Sequence, residues 1–243
     1  MTSVIEVEFP RGTCPIHTFG SLEDRSAPVV LLFMDAFGPR PATFAVAENL
    51  ASSGYRVLLP DLFYEHRPYR PLDPQSLFSG GEDRQRLGTL IGTLTQDAVD
   101  ADISALLAYC QDIRDPGVPM CATGYCMGGR YALTAVTQSS EVVAAATFHA
   151  STLAPAEGDS PHRHLDGVKA RIYIGVAGID PSFGAEEEGR LAQALRAAEI
   201  DHMIETYAGA AHGFVMSDLP VHNAKAAECH LARLKSLLSV AFR

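Results

Sequence analysis

Apolar runs of strand length alternate along this chain with stretches whose apolar positions recur three and four apart. Pro28 to Met34 is a near-continuous run of β-branched and aliphatic residues, the pattern of a strand covered on both faces. Ala42 to Ser52 has helical spacing, Gly54 suits the end of that helix, and Tyr55 to Pro60 is the next buried strand. The alternation continues with a helix from Asp97 to Asp112 and a strand leading through Cys121 into a turn and another helix. Further strands are predicted over Val142 to Phe148, Arg171 to Ala177 and His202 to Tyr207, with helices over Glu186 to Ala198 and Val221 to Val240. Val4 to Phe9 and Cys14 to Phe19, joined at Pro10-Arg11-Gly12, predict a hairpin at a sheet edge. Leu153 to Leu165 is polar and loop-like. Strands alternating with helices predict an α/β fold, an open and mostly parallel sheet with helices on both faces. We expect one domain over residues 1–243 with no large separate cap domain. One interruption stands out: Phe63 to Gly92 is rich in proline and arginine, contains Gly80-Gly81, and reads as a long irregular loop of the functional or mobile kind.

Composition narrows the classes. With 19 basic and 29 acidic residues the net charge is −10, and there is no basic stripe, which argues against nucleic-acid binding. The longest apolar runs are strand-sized, well short of the roughly 20 residues that span a bilayer. Glu6 and Glu8 stand in an N-terminal stretch with no basic start and no long apolar segment, so the expectation is a cytoplasmic protein away from membranes. Five cysteines, at positions 14, 110, 121, 126 and 229, are odd in number and irregularly spaced. That pattern suits free thiols.

The candidate chemistry centres on Cys121 to Leu133. Gly124, Cys126 and Gly128 form G-x-C-x-G where many hydrolases carry G-x-S-x-G. A strand that turns into a helix over so few residues strains its central residue and presents that side chain to a cleft. The glycines let strand and helix approach closely. The helix aims its free N-terminal amides at the same point, which suits a thiolate and an oxyanion. Asp35, Cys126, Asp180 and His212 each follow a predicted strand, where functional residues of such sheets gather. The last three occur in the order nucleophile, acid, histidine. His212 would take the thiol proton, and Asp180 would orient the imidazole. Asp61 reads as a structural turn residue. His149, at a strand end, reads either as a cleft residue or as a hydrogen-bonded structural histidine. His162 and His164 lack partners for a metal-ligand pattern, and we expect no metal and no cofactor.

Gly124 to Ala132, with Pro60-Asp61-Leu62-Phe63 upstream and Gly209 to Phe214 downstream, resembles the dienelactone hydrolase family of the α/β-hydrolase superfamily. The resemblance runs from about Pro28 to the C-terminal helix. It implies a cofactor-free hydrolase of lactones and other esters with a Cys-His-Asp triad, matched here by Cys126, His212 and Asp180. It also implies a carboxylate at Asp35 that supports the nucleophile. The family pattern has glutamate there, and aspartate is one methylene shorter. The oxyanion hole would use the backbone amides of Ala36 and Met127. Of the two arginines that hold a substrate carboxylate in the family, Arg86 resembles the first, while Met216 stands where the second is expected. Substrate contacts are expected from Arg86, Phe37, Tyr125 and Met216, with neutral esters favoured.

The reading is therefore a cysteine-dependent hydrolase of small ester or lactone substrates, acting through a covalent acyl-enzyme as a monomer or homodimer. The alternatives are a promiscuous phosphotriester hydrolase with the same triad, and a thiol sensor or binding protein without turnover.

Overall fold

The computed structural model describes residues 2–242. The chain opens with a hairpin of β1 (Thr2–Phe9) and β2 (Gly12–Phe19), then β3 (Val29–Phe33), α1 (Pro41–Ala51) and β4 (Arg56–Pro60). Two helices, α2 (Pro74–Phe78) and α3 (Glu82–Gly92), precede the long α4 (Gln96–Ile113). There follow β5 (Met120–Tyr125), α5 (Gly128–Gln138), β6 (Val142–Phe148), β7 (Arg171–Ile179), α6 (Ala185–Ala197), β8 (His202–Ala211) and α7 (Ala224–Ala241). The eight strands form one sheet in the order β1-β2-β4-β3-β5-β6-β7-β8. β1 with β2 and β2 with β4 run antiparallel, and every other neighbouring pair is parallel.

Every residue of β3, β4 and β5 is buried, which requires cover on both faces of the sheet. α1 packs on β2 and β4, α7 on β6 and β7, α5 lies along β3, β5 and β6, and α4 packs beside α5 and against β1. β3 sits between β4 and β5. The connections leaving the carboxyl ends of β3 and β5 therefore diverge, opening a crevice at the switch of strand order.

The segment 63–92 departs from the expected irregular loop, because α2 and α3 lie within it. Arg70 and Arg86 fold around a buried carboxylate. Asp83 accepts hydrogen bonds from Arg70 Nη2 at 2.7 Å, Arg86 Nη1 at 2.5 Å and the Asp73 amide at 2.8 Å. Leu90 and Leu94 are buried, with Leu87 and Ile91 against the same core, the spacing of a helical face. Gly88, Gly92 and the upstream prolines mask that spacing in the sequence.

Candidate active site

The turn after β5 is as tight as its glycines imply. Cys126 has φ of 54°, a left-handed conformation uncommon outside glycine. A Cβ on Gly124 would lie 2.0 Å from the Gly128 carbonyl oxygen, and one on Gly128 would lie 2.4 Å from that of Met34. The turn is pinned by the Cys126 amide donating to the Phe148 carbonyl at 3.2 Å and the Gly129 amide donating to that of Cys126 at 3.1 Å. Cys126 is left partly exposed at the N-terminus of α5.

β7 and β8 bring the other two members. Asp180 directly follows β7, His212 directly follows β8, and the His212 amide donates to the Ile179 carbonyl at 3.1 Å. The His212 ring donates from Nδ1 to Asp180 Oδ2 at 2.7 Å. Asp180 Oδ1 accepts from the Ser182 amide at 2.9 Å and the Ser182 hydroxyl at 2.6 Å. The Asp180 side chain is 1% exposed and that of His212 27%. Burial opposes charge on both. For His212 it is outweighed by hydrogen bonds to Asp180 and Cys126, which raise its pKa to about 10. For Asp180 the bonds from His212 and Ser182 likewise win and hold its pKa below the ordinary value. With Nδ1 committed to Asp180, Nε2 is the nitrogen left for Cys126.

These residues open on a cleft of about 330 Å³ lined by Asp35, Ala36, Phe37, Cys126, Asp180 and His212. Leu77, Leu87 and Leu219 add apolar wall, the first two from α2 and α3. Among the described residues, neither the Ala36 nor the Met127 amide donates a hydrogen bond within the protein. Both amides are therefore free for a guest oxygen.

Asp35 follows β3 as expected, but its carboxylate is taken by an arginine. Arg40 donates to Asp35 Oδ1 at 2.5 Å and Oδ2 at 3.0 Å, and also to Asp218 at 2.6 and 3.1 Å. The shorter aspartate side chain thus closes on Arg40, tying the strand-end turn to the loop beyond His212. Three of the expected substrate contacts fall elsewhere. Arg86 is held by Asp83 and by the Arg70 carbonyl at 2.5 Å, so its charge is spent on the 67–92 segment. Tyr125 is wholly buried and its hydroxyl donates to His230 Nε2 at 2.8 Å. Met216 is 1% exposed and belongs to the core. Phe37 alone of the four lines the cleft. Ser182, Arg40, Leu77 and Leu87 join the site without being singled out by the sequence pattern. Asp180-Pro181-Ser182 carries an Asx-turn signal that points to Ser182; Arg40 has no local signature.

Cys126, Asp180 and His212, at the carboxyl ends of β5, β7 and β8, sit on one rim of this mostly parallel sheet, the architecture of an α/β-hydrolase fold. A model of the dienelactone hydrolase family matches residues 17–242, and the chain belongs to that family of ester and lactone hydrolases. A Synechocystis protein provisionally named carboxymethylenebutenolidase is 24% identical over 218 residues, covering 86% of this chain and 85% of its own. A carboxymethylenebutenolidase of Pseudomonas sp. strain P51 is 36% identical over 107 residues, 43% of this chain and 42% of its own. Among solved structures, a dienelactone hydrolase-like promiscuous phosphotriesterase from metagenomic libraries superposes with a TM-score of 0.76 at 20% identity, covering 100% of this chain and 99% of its own. Among the described residues no helix is long and apolar enough to cross a membrane, and no cluster of side chains suits a metal ion.

Proposed function

We propose that this protein hydrolyses neutral, largely apolar carboxylic esters or lactones through a covalent Cys126 acyl-enzyme. The observation that supports the reading is that Cys126, His212 and Asp180 line one apolar-walled cleft, with His212 bonded to Asp180. With His212 already holding a proton on Nε2, Cys126 sulfur attacks the substrate carbonyl, and Asp180 stabilises the imidazolium. The amides of Met127 and Ala36 receive the oxyanion. His212 returns the proton to the departing alkoxide, and water then cleaves the thioester.

The substrate class follows from where the cations are. Neither Arg86 nor Arg40 offers an unpaired guanidinium to the cleft, since each is neutralised by aspartate. A substrate carboxylate would enter an apolar site without a bidentate donor, which is unfavourable. Wild type and Cys126→Ala are to be compared on p-nitrophenyl esters, a neutral lactone and a carboxylated dienelactone. Wild type should favour the neutral substrates, and the substitution should lower turnover by at least about a thousandfold. Equal turnover by both proteins would remove Cys126 from the chemistry. Absence of turnover by wild type would favour a thiol sensor. The same donors suit a phosphoryl oxygen, so a phosphotriester belongs in the panel.

A further inference from the structure

His149 takes no part in the proposed relay of Cys126, His212 and Asp180, yet the residue borders the same cleft. It directly follows β6 with φ of 40°, and its amide donates to the Gly175 carbonyl at 2.8 Å. Such a backbone persists only where the surroundings dictate it. The side chain is fully buried, edge-to-face against His212 at 5.2 Å between ring centroids and against Phe214 at 5.4 Å. Among the described residues, neither Nδ1 nor Nε2 has a hydrogen-bond partner in the protein.

His230 shows what a structural histidine looks like in this molecule. It is equally buried, but its Nδ1 donates to the Ala227 carbonyl and its Nε2 accepts from Tyr125. Buried polar side chains nearly always find partners, so two buried, idle nitrogens on a residue that borders the cleft call for a guest. Burial, and then the neighbouring His212 and His230 rings, push the His149 pKa well below the ordinary value, against an opposing contact with its own backbone. The ring is therefore neutral and offers one donor and one acceptor. That pairing suits water, which needs both, and gives an anion no charge to bind.

We propose that His149 is a positioning residue that holds the water which cleaves the acyl-enzyme. The proposal rests on the reading of Cys126 as nucleophile. In this step the water gives one proton to His212 Nε2 while its oxygen bonds to the thioester carbon. The carbon–sulfur bond then breaks, the sulfur recovers the proton from His212, and the free acid leaves. His149 transfers no proton. It hydrogen-bonds the water and turns a lone pair toward the carbonyl. Acylation of Cys126 uses no water and proceeds without it.

The test is burst kinetics with p-nitrophenyl acetate on wild type, His149→Phe, which keeps the ring packing, and His149→Gln, which keeps hydrogen-bonding atoms. In the phenylalanine variant the burst rate constant should stay within about twofold and the steady-state rate fall about tenfold or more. Intact mass should show that variant acetylated during turnover, and the glutamine variant should recover part of the lost rate. Hydroxylamine, a nucleophile in bulk supply, should release the acetyl group equally fast from wild type and the phenylalanine variant. If phenylalanine is not tolerated, a slowed steady state with an unchanged burst in His149→Gln carries the same meaning. Burst and steady state slowing together, or neither slowing, would overturn the proposal. A wild-type burst that survives in Cys126→Ala would instead refute the nucleophile, and this shows without any change at His149.

Discussion

Asp180 serves His212 with one oxygen and Ser182 with the other, so its carboxylate cannot rotate without losing a bond. Asp180→Asn keeps the shape but not the charge. It should lower kcat about a hundredfold or more, with KM little changed, because the lost stabilisation belongs to the imidazolium. The same residues set a pH dependence of stability. The His212 pKa is higher in the folded chain, about 10 against 6.5, so its contribution is complete below the unfolded value and is lost as pH rises through the folded one. Unfolding free energy from urea titrations should fall between about pH 6.5 and about pH 10 in wild type. The fall should be shallower in Asp180→Asn. A wild-type curve that rises over this range would contradict the assignment.

The elbow between β5 and α5 is legible in the sequence because its constraint is local. Gly124 and Gly128 sit where any Cβ meets backbone at 2.0 to 2.4 Å, and backbone cannot move aside as a side chain can. Gly128→Ala should destabilise the fold by about 1–3 kcal/mol in denaturant titration and cost activity besides, since Cys126 is carried on the same turn. A fully stable and active variant would contradict this geometry. The segment 63–92 was not legible, and the reason is equally physical. α3 is organised by Asp83, whose partners Arg70, Asp73 and Arg86 surround a carboxylate with no exposed surface. Arg86 looks like a substrate-binding residue in one dimension because a sequence does not say that a buried carboxylate stands three residues away on the same helical face. Met216 and Tyr125 mislead likewise. Position beside a motif is not position beside a cleft, and both side chains point into the core.

At the scale of the whole molecule, the net charge of −10 and the neutralised arginines act together against anionic substrates. Between about 10 and 200 mM salt, kcat/KM for a carboxylated lactone should rise several-fold as screening shortens the range of repulsion. For a neutral ester it should stay flat. Equal salt responses would place substrate selection in shape alone. The alternation of buried strands and amphipathic helices, the order of Cys126, Asp180 and His212, and the glycines of the elbow were fixed by the sequence itself. Each depends on residues adjacent in the chain or on the rule that places strand ends on one rim of a parallel sheet. The tertiary structure alone decided which charges meet. Arg40 claims Asp35 nearby and Asp218 across 178 residues, Asp83 gathers Arg70 and Arg86, and among the described residues the His149 ring is left beside His212 with no hydrogen-bond partner. Partner choice among charged groups is settled by distances after folding, and no local pattern of residue types encodes it.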